Sequence, residues 1–254
     1  MVKLDMKRYT VFILLLVCNN CLGQLTNSSD KKIVSNFINL IRTDQVSKLS
    51  DQVSYPLKRE YPIPSVRNRK EFAARYKEIF DDSLKQMIIH SDPVQDWSHV
   101  GWRGIMFLQG AVWLDEKLIS VNHQSIAEKR KKEKLILVDK KNLFASVRDY
   151  VRPVLMMSTS KYKIRIDEVQ SGKYRYVSWP KASGMSSKPD LVLSNGEVEF
   201  SGSGGNHSYR FKSGPYTYVC DILVISESGA PPAKLSVTKS GVTVLKQNAT
   251  TFVN

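Results

Sequence analysis

Arg103 is the residue of this chain with the clearest capacity for recognition chemistry. It follows Trp102 and lies close in sequence to Trp113 and Asp115. A guanidinium beside aromatic rings can grip a carboxylate or a sugar. His123 and Asp115 fall at neighbouring strand ends in the same stretch, the spacing of a general acid/base pair. Arg103, Trp113, Asp115 and His123 are therefore the candidate ligand-binding residues; no catalytic residue is assigned. The structural alternative is an Arg–Asp pair on a strand with the tryptophans in a core. His90, Asp92, Asp96 and His99 cluster within ten residues, but they lack the tight spacing of a metal motif and read as loop polarity. No metal and no cofactor is expected.

Other reactive types are less informative. Asn206, His207 and Tyr209 flank a glycine-rich turn, 202–205. No helix follows those glycines, so neither a phosphate cradle nor a nucleophile elbow is supported. Cys220 sits in the strand-like run YTYVCDILVI and reads as a buried apolar residue.

The elements that must position the first group come from the stretch Asp96 to His123, which holds three of the four tryptophans. It reads as a three-strand meander: Gly101 to Leu108, Ala111 to Leu114 and Leu118 to Asn122. Alternation puts Trp102, Met106 and Leu108 on one face and Arg103, Ile105 and Phe107 on the other. Ahead of it, Ile33, Phe37, Leu40 and Ile41 recur on one helical face, with Ser29 or Asp30 as cap. Asn68 and Glu71 form a capping-box pattern ahead of Phe72, Tyr76, Ile79 and Phe80. Prolines at 56, 62 and 64 exclude a helix between these pieces. Residues 124–134 are dominated by charge and read as a solvated helix face or an anion-binding patch. Leu135 to Val138 reads as a closing strand. From Lys161 onward about seven short strands alternate with Ser-Gly and Asn-Gly turns.

Phe37, Tyr55-Pro-Leu57, Phe72, Gly101-Trp-Arg-Gly-Ile-Met106 and Trp113-Leu-Asp115 resemble uncharacterised exported bacterial proteins with a nuclear-transport-factor-2-like (SnoaL-like) cone. The resemblance covers about residues 30–125. It implies helices on a curved antiparallel sheet and carries no activity, because that fold hosts both enzymes and non-catalytic binders. The run Ser201 to Tyr209 is faintly similar to the Ser-Gly-Tyr loop of periplasmic lysozyme inhibitors. The expected fold class is α+β: a cone-like domain over 24–134, a connecting region over 135–160, and an antiparallel sandwich or small barrel over 161–254.

The 254 residues carry 38 Lys and Arg against 24 Asp and Glu, a net charge of +14. Such a surface attracts anions. Lys3, Lys7 and Arg8 precede the apolar run Val11 to Val17, and Cys21-Leu22-Gly23 supplies small residues for cleavage after Gly23. Residues 1–23 are read as a signal peptide, which makes the protein periplasmic or extracellular. Neither Cys18 nor Cys21 follows the small residue that lipid anchoring needs. Export disfavours nucleic acid as partner and favours an anionic ligand or envelope component. No later segment is long and apolar enough to span a membrane. The function read from these features is ligand or envelope-partner binding without catalysis. The alternatives are a small-molecule enzyme using the cone cavity and an inhibitor-like interaction role for the β domain; the oligomeric state stays open.

Overall fold

The computed structural model describes residues 25–170, 172–202 and 204–251. Residues 1–23, expected to be a signal peptide, lie outside the described residues together with Cys18 and Cys21.

The first half begins with helix α1 (Ser28–Arg42). Its cap is Asn27, whose side chain accepts from the Ser29 N–H, slightly ahead of the expected cap. A short helix α2 (Val46–Asp51), α3 (Arg69–Ile79) and α4 (Asp82–Ile89) follow. Asn68 caps α3 by accepting from Glu71 N–H at 3.0 Å, as its sequence pattern requires. Four strands come next: β1 (Trp97–His99), β2 (Ile105–Phe107), β3 (Val112–Leu114) and β4 (Leu118–Val121), paired in that order and all antiparallel. One face of this sheet, with Trp97, Ile105, Phe107, Val112, Leu114, Leu118 and Val121, is buried with the apolar stripes of α1, α3 and α4. Trp97 stacks on Phe107 at 4.5 Å between centroids, and Phe37 meets Trp97 edge-on at 5.9 Å.

The expected cone is not formed. Its sheet needs long curved strands, and these strands are three or four residues each. A 3-10 turn, Gly101–Arg103, replaces the first part of the strand expected over Gly101 to Leu108, and a second, Leu108–Gly110, forms at the end of that strand. Gly104 is required between them: its φ is +86°, and a Cβ there would lie 2.3 Å from the Leu114 carbonyl oxygen. Leu108 and Gln109 both adopt left-handed φ values of 46° and 52°, which stops β2. Trp102 therefore sits on a turn, 72% exposed, rather than on a sheet face.

Helix α5 (Ile126–Asn142) follows, capped by Ser125, whose hydroxyl accepts from the Glu128 N–H. It includes Leu135–Val138, so the expected closing strand is helical. A 3-10 turn at Ala145–Val147 then leads into the second half.

Of the two forms expected for that half the barrel is found and the sandwich is not, and the chain is mainly β rather than the expected α+β cone with a sandwich. Strands β5 (Arg152–Ser158), β6 (Tyr162–Glu168), β7 (Tyr174–Pro180), β8 (Leu191–Ser201), β9 (Asn206–Ser213), β10 (Tyr216–Ile222), β11 (Ala233–Lys239) and β12 (Val242–Thr251) form a closed eight-stranded barrel. Each strand pairs antiparallel with its successor, and β12 closes on β5 through Thr250–Ser158 and Thr251–Met157. Closure removes exposed sheet edges. The first strand, β5, lies within the stretch expected to be a connection. Alternation points Ile164, Ile166, Tyr176, Leu193, Phe211, Cys220, Leu235 and Ala249 into the barrel, where they pack together.

The outside of β6 and β7 is also buried. Val177 and Trp179 pack there against Leu143, Val147 and Tyr150 from the segment after α5. Beside them Arg165 makes a two-pronged bond to Asp139 of α5, at 3.0 and 2.6 Å, and donates to Asp167 at 2.7 Å. Arg175 donates to Asp167 at 3.0 Å and to the carbonyls of Asp149 and Val147. The Tyr150 hydroxyl donates to Asp139, and the Arg165 guanidinium lies 4.8 Å from the Tyr150 ring centre. Burying this much charge is tolerable only because nearly every lone pair and N–H is matched.

Candidate functional site

The residues singled out from the sequence do not converge. Arg103 does meet Trp113: its guanidinium carbon lies 5.7 Å from the ring centre. It reaches it from the Gly101–Arg103 turn rather than from a strand. Asp115 sits in the turn after β3, where its N–H donates to the Lys117 carbonyl. His123 is taken up elsewhere, with Nε2 at 3.0 Å from Asp81 Oδ1 at the start of α4. Among the described residues no side-chain hydrogen bond or ion pair joins Arg103, Asp115 and His123. The Arg103–Trp113 contact is an exposed cation–π pair, and the His123–Asp115 acid/base pair is not formed.

The polar loop residues are likewise used locally. The Asp92 carboxylate accepts from the Val94 and Gln95 N–H groups, and Asp96 accepts from the Asp92 N–H. His99 bonds Asp30 and His90 bonds the Gln86 carbonyl. Among the described residues no group of three or more His, Cys, Asp or Glu side chains is placed to hold a metal. Asn206 acts as a clamp. Its side chain accepts from the Val224 and Ile225 N–H groups and donates to the Ile225 carbonyl, pinning the β10–β11 loop to the β8–β9 turn.

The concave site that does form lies in the barrel, at the end where β6, β8 and β10 begin. It is a cavity of about 410 Å³, open to solvent. Its walls carry Tyr162 of β6, Tyr176 and Ser178 of β7, and Tyr216 and Tyr218 of β10. Leu235, Val237, Val244 and Leu245 complete the apolar lining, and Asp190 and Leu191 stand at the rim. Strand alternation explains the grouping. Tyr176 and Ser178 are two apart on β7, and Tyr216 and Tyr218 two apart on β10, so each pair shares the inner face. The ring of Tyr176 lies 5.8 Å from that of Tyr218 and 5.6 Å from that of Phe211. Below them the packed belt of Ile164, Ile166, Leu193 and Cys220 closes the barrel.

Electrostatically the cavity is close to neutral. Asp190 is the one charged side chain on its lining. Burial pushes the hydroxyl of Tyr176 well above the ordinary tyrosine range, and burial raises Tyr218 also. Both stay protonated at physiological pH and offer an O–H donor and an oxygen acceptor. Burial raises the Cys220 thiol far above its usual value, so no thiolate is available below the cavity. The lining thus supplies aromatic faces and neutral hydroxyls, a set suited to holding a ligand. It holds no histidine and no cation.

Sequence reasoning recognised the β strands that carry these tyrosines but not the site. Tyr162, Tyr176 and Tyr218 are separated by up to 56 positions, and only closure brings them together. The detectable signal was tyrosine at alternate positions of two strands, 174–176 and 216–218.

Scans of protein-family models, of curated proteins and of solved structures return no match to this chain.

Proposed function

We propose that this chain is an exported binding protein without catalysis, and that the tyrosine-lined mouth of the barrel is its ligand site. The observation that carries the reading is the cavity of about 410 Å³ walled by four tyrosines. Eight strands give a barrel interior that side chains can fill, or that can hold one small ligand. Here they do the first through most of the barrel and leave room for the second at the end lined by the tyrosines.

The lining selects the ligand. The one charged side chain on the lining is Asp190, and the nearby Lys239 ammonium is held over the Tyr216 ring at 5.6 Å, so the walls favour no anion. Neutral hydroxyls beside aromatic faces suit an uncharged ring-bearing molecule, a sugar or a hydroxylated aromatic, whose flat face stacks while its edge exchanges hydrogen bonds. Export rests on the leader-like N-terminal sequence, and the basic surface suits residence beside anionic envelope components.

The test is a fragment screen of neutral sugars and hydroxylated aromatics by ligand-detected NMR. It is followed by titration of hits against the chain and against Tyr216→Ala and Tyr218→Ala. Binding that weakens at least about tenfold in both variants, as expected from losing one stacked ring, supports the reading. Hits whose affinity is the same in both variants, or a screen in which only anions bind, would remove the cup as the ligand site.

A further inference from the structure

Helix α5 turns two acids inward: Glu128 is fully buried against Arg59, and Asp139 meets the fully buried Arg165. Leu135 and Ile136 are partly buried on the same side of the helix, Ile136 against the cluster of Leu143, Val147 and Trp179. Three other aliphatic side chains turn outward. Ile126 is 65% exposed, Leu137 60% and Val138 56%. At 3.6 residues per turn, Ile126, Arg130, Lys134, Leu137 and Lys141 fall within a sector of roughly 80°, opposite Glu128 and Asp139. Lys129 and Lys140 flank that sector on one side and Val138 on the other.

The cations of this face are unengaged by acids. Among the described residues Lys129, Arg130, Lys134, Lys140 and Lys141 form no ion pair, whereas the inward-facing Lys131 and Lys132 bond Glu78 and Glu60. One acid, Glu133, shares the outward face. Surface helices of soluble proteins place apolar groups inward and acids among their outward lysines. Here buried arginines on both sides draw Glu128 and Asp139 inward, and the outward face is left with cations and three aliphatic side chains.

We propose that the outward face of α5 docks on a membrane surface that carries anionic lipid. The cations meet the headgroups, and Ile126, Leu137 and Val138 enter the interfacial layer between them. Aliphatic side chains exposed among cations can enter the interfacial layer while the cations pair with anionic headgroups. A nucleic acid would use the cations but leave the three aliphatic side chains idle, and the sector offers no aromatic ring for a base to stack on. This site is separate from the barrel mouth, so either can fail without the other.

The experiment is co-sedimentation of the full chain with vesicles of phosphatidylcholine alone and of phosphatidylcholine with phosphatidylglycerol. Two variants run in parallel: Arg130→Glu/Lys134→Glu/Lys141→Glu and Leu137→Glu. All three substituted cations are solvent-facing, and far-UV circular dichroism verifies that the folds match. The expected result is binding that requires phosphatidylglycerol and weakens with added salt. The charge-reversed chain should lose it by on the order of a hundredfold, and Leu137→Glu should weaken it measurably. Equal binding to both vesicle types, or anionic binding that both variants retain, overturns the proposal. So does an absence of binding to phosphatidylglycerol vesicles, and capture by polyglutamate in that case would make the face a protein-docking surface.

Discussion

Gly196 of β8 has no side chain, and Phe211 of β9 uses the space. A Cβ at 196 would lie 2.0 Å from the Phe211 ring, so that ring lies directly on the β8 backbone. Gly196 has no left-handed φ, so substitution there is a question of packing alone. Gly196→Ala should cost about 1–3 kcal/mol as an overpacking change. Adding Phe211→Leu should return part of that loss, and chemical denaturation of the single and double variants would show the coupling. Additive losses would mean that the ring does not press on position 196. Asp81 is a second residue whose use is hidden from sequence. Burial alone would raise its carboxyl, but the Leu84 N–H and His123 outweigh this and hold it below its ordinary value of 3.8. A carboxyl depressed on folding stabilises above its unfolded value, and the gain fades as pH falls through the folded value. Asp81→Ala should therefore cost about 1 kcal/mol at neutral pH, the scale of a lost cap. The gap to the parent should shrink in acid; a gap that stays constant down to pH ~2 would show that the charge plays no part.

Among the elements, those with regular periodicity and a cap were legible from sequence. Phe37, Leu40 and Ile41 marked α1, and Asn68 marked the start of α3. The barrel strands were legible as alternating runs, whereas their closure was not. Closure rests on the pairing of Thr250 and Thr251 with Ser158 and Met157, about ninety positions away, and no local pattern encodes it. The cone failed for a local reason: the Gly101–Arg103 turn takes up the first part of the expected strand and leaves strands of three or four residues. Helix α5 was half legible. Its charged first part read as a helix, and its aliphatic second part as a strand, because apolar side chains that face solvent mimic no helical core stripe. What holds it is Glu128. That carboxylate accepts from Arg59 Nε at 2.7 Å, while Arg59 also donates to the carbonyls of Val121 and His123. Glu128→Ala would leave Arg59 buried without its counter-charge. A loss of about 3–5 kcal/mol is expected, measurable by urea unfolding; a loss below about 1 kcal/mol, the scale of an exposed pair, would mean water reaches the site.

At the scale of the whole molecule, α5 belongs to both halves. Its first turns are held to the helical half by Arg59–Glu128, Lys132–Glu60, Lys131–Glu78 and the Ser125 hydroxyl on the Glu78 carbonyl. Its last turns are held to the barrel by Asp139 on Arg165, with Leu143, Val147 and Tyr150 packed over Val177 and Trp179. A rigid helix fixed at both ends makes the halves unfold together, provided each fixing is stronger than the weaker half. The tryptophans report on this: Trp97 lies buried in the helical half and Trp179 on the barrel wall. In the parent chain, Trp97 and Trp179 single-tryptophan reporters should give coincident thermal transitions. Asp139→Ala removes the two-pronged partner of the buried Arg165 and releases the Tyr150 hydroxyl, so the barrel loses its hold on α5 at the point where charge is most deeply buried. In that variant the Trp179 transition should fall to lower temperature while the Trp97 transition moves little. Coincident transitions that shift together by the same amount would show that apolar packing over Trp179, rather than the Asp139–Arg165 pair, joins the two halves.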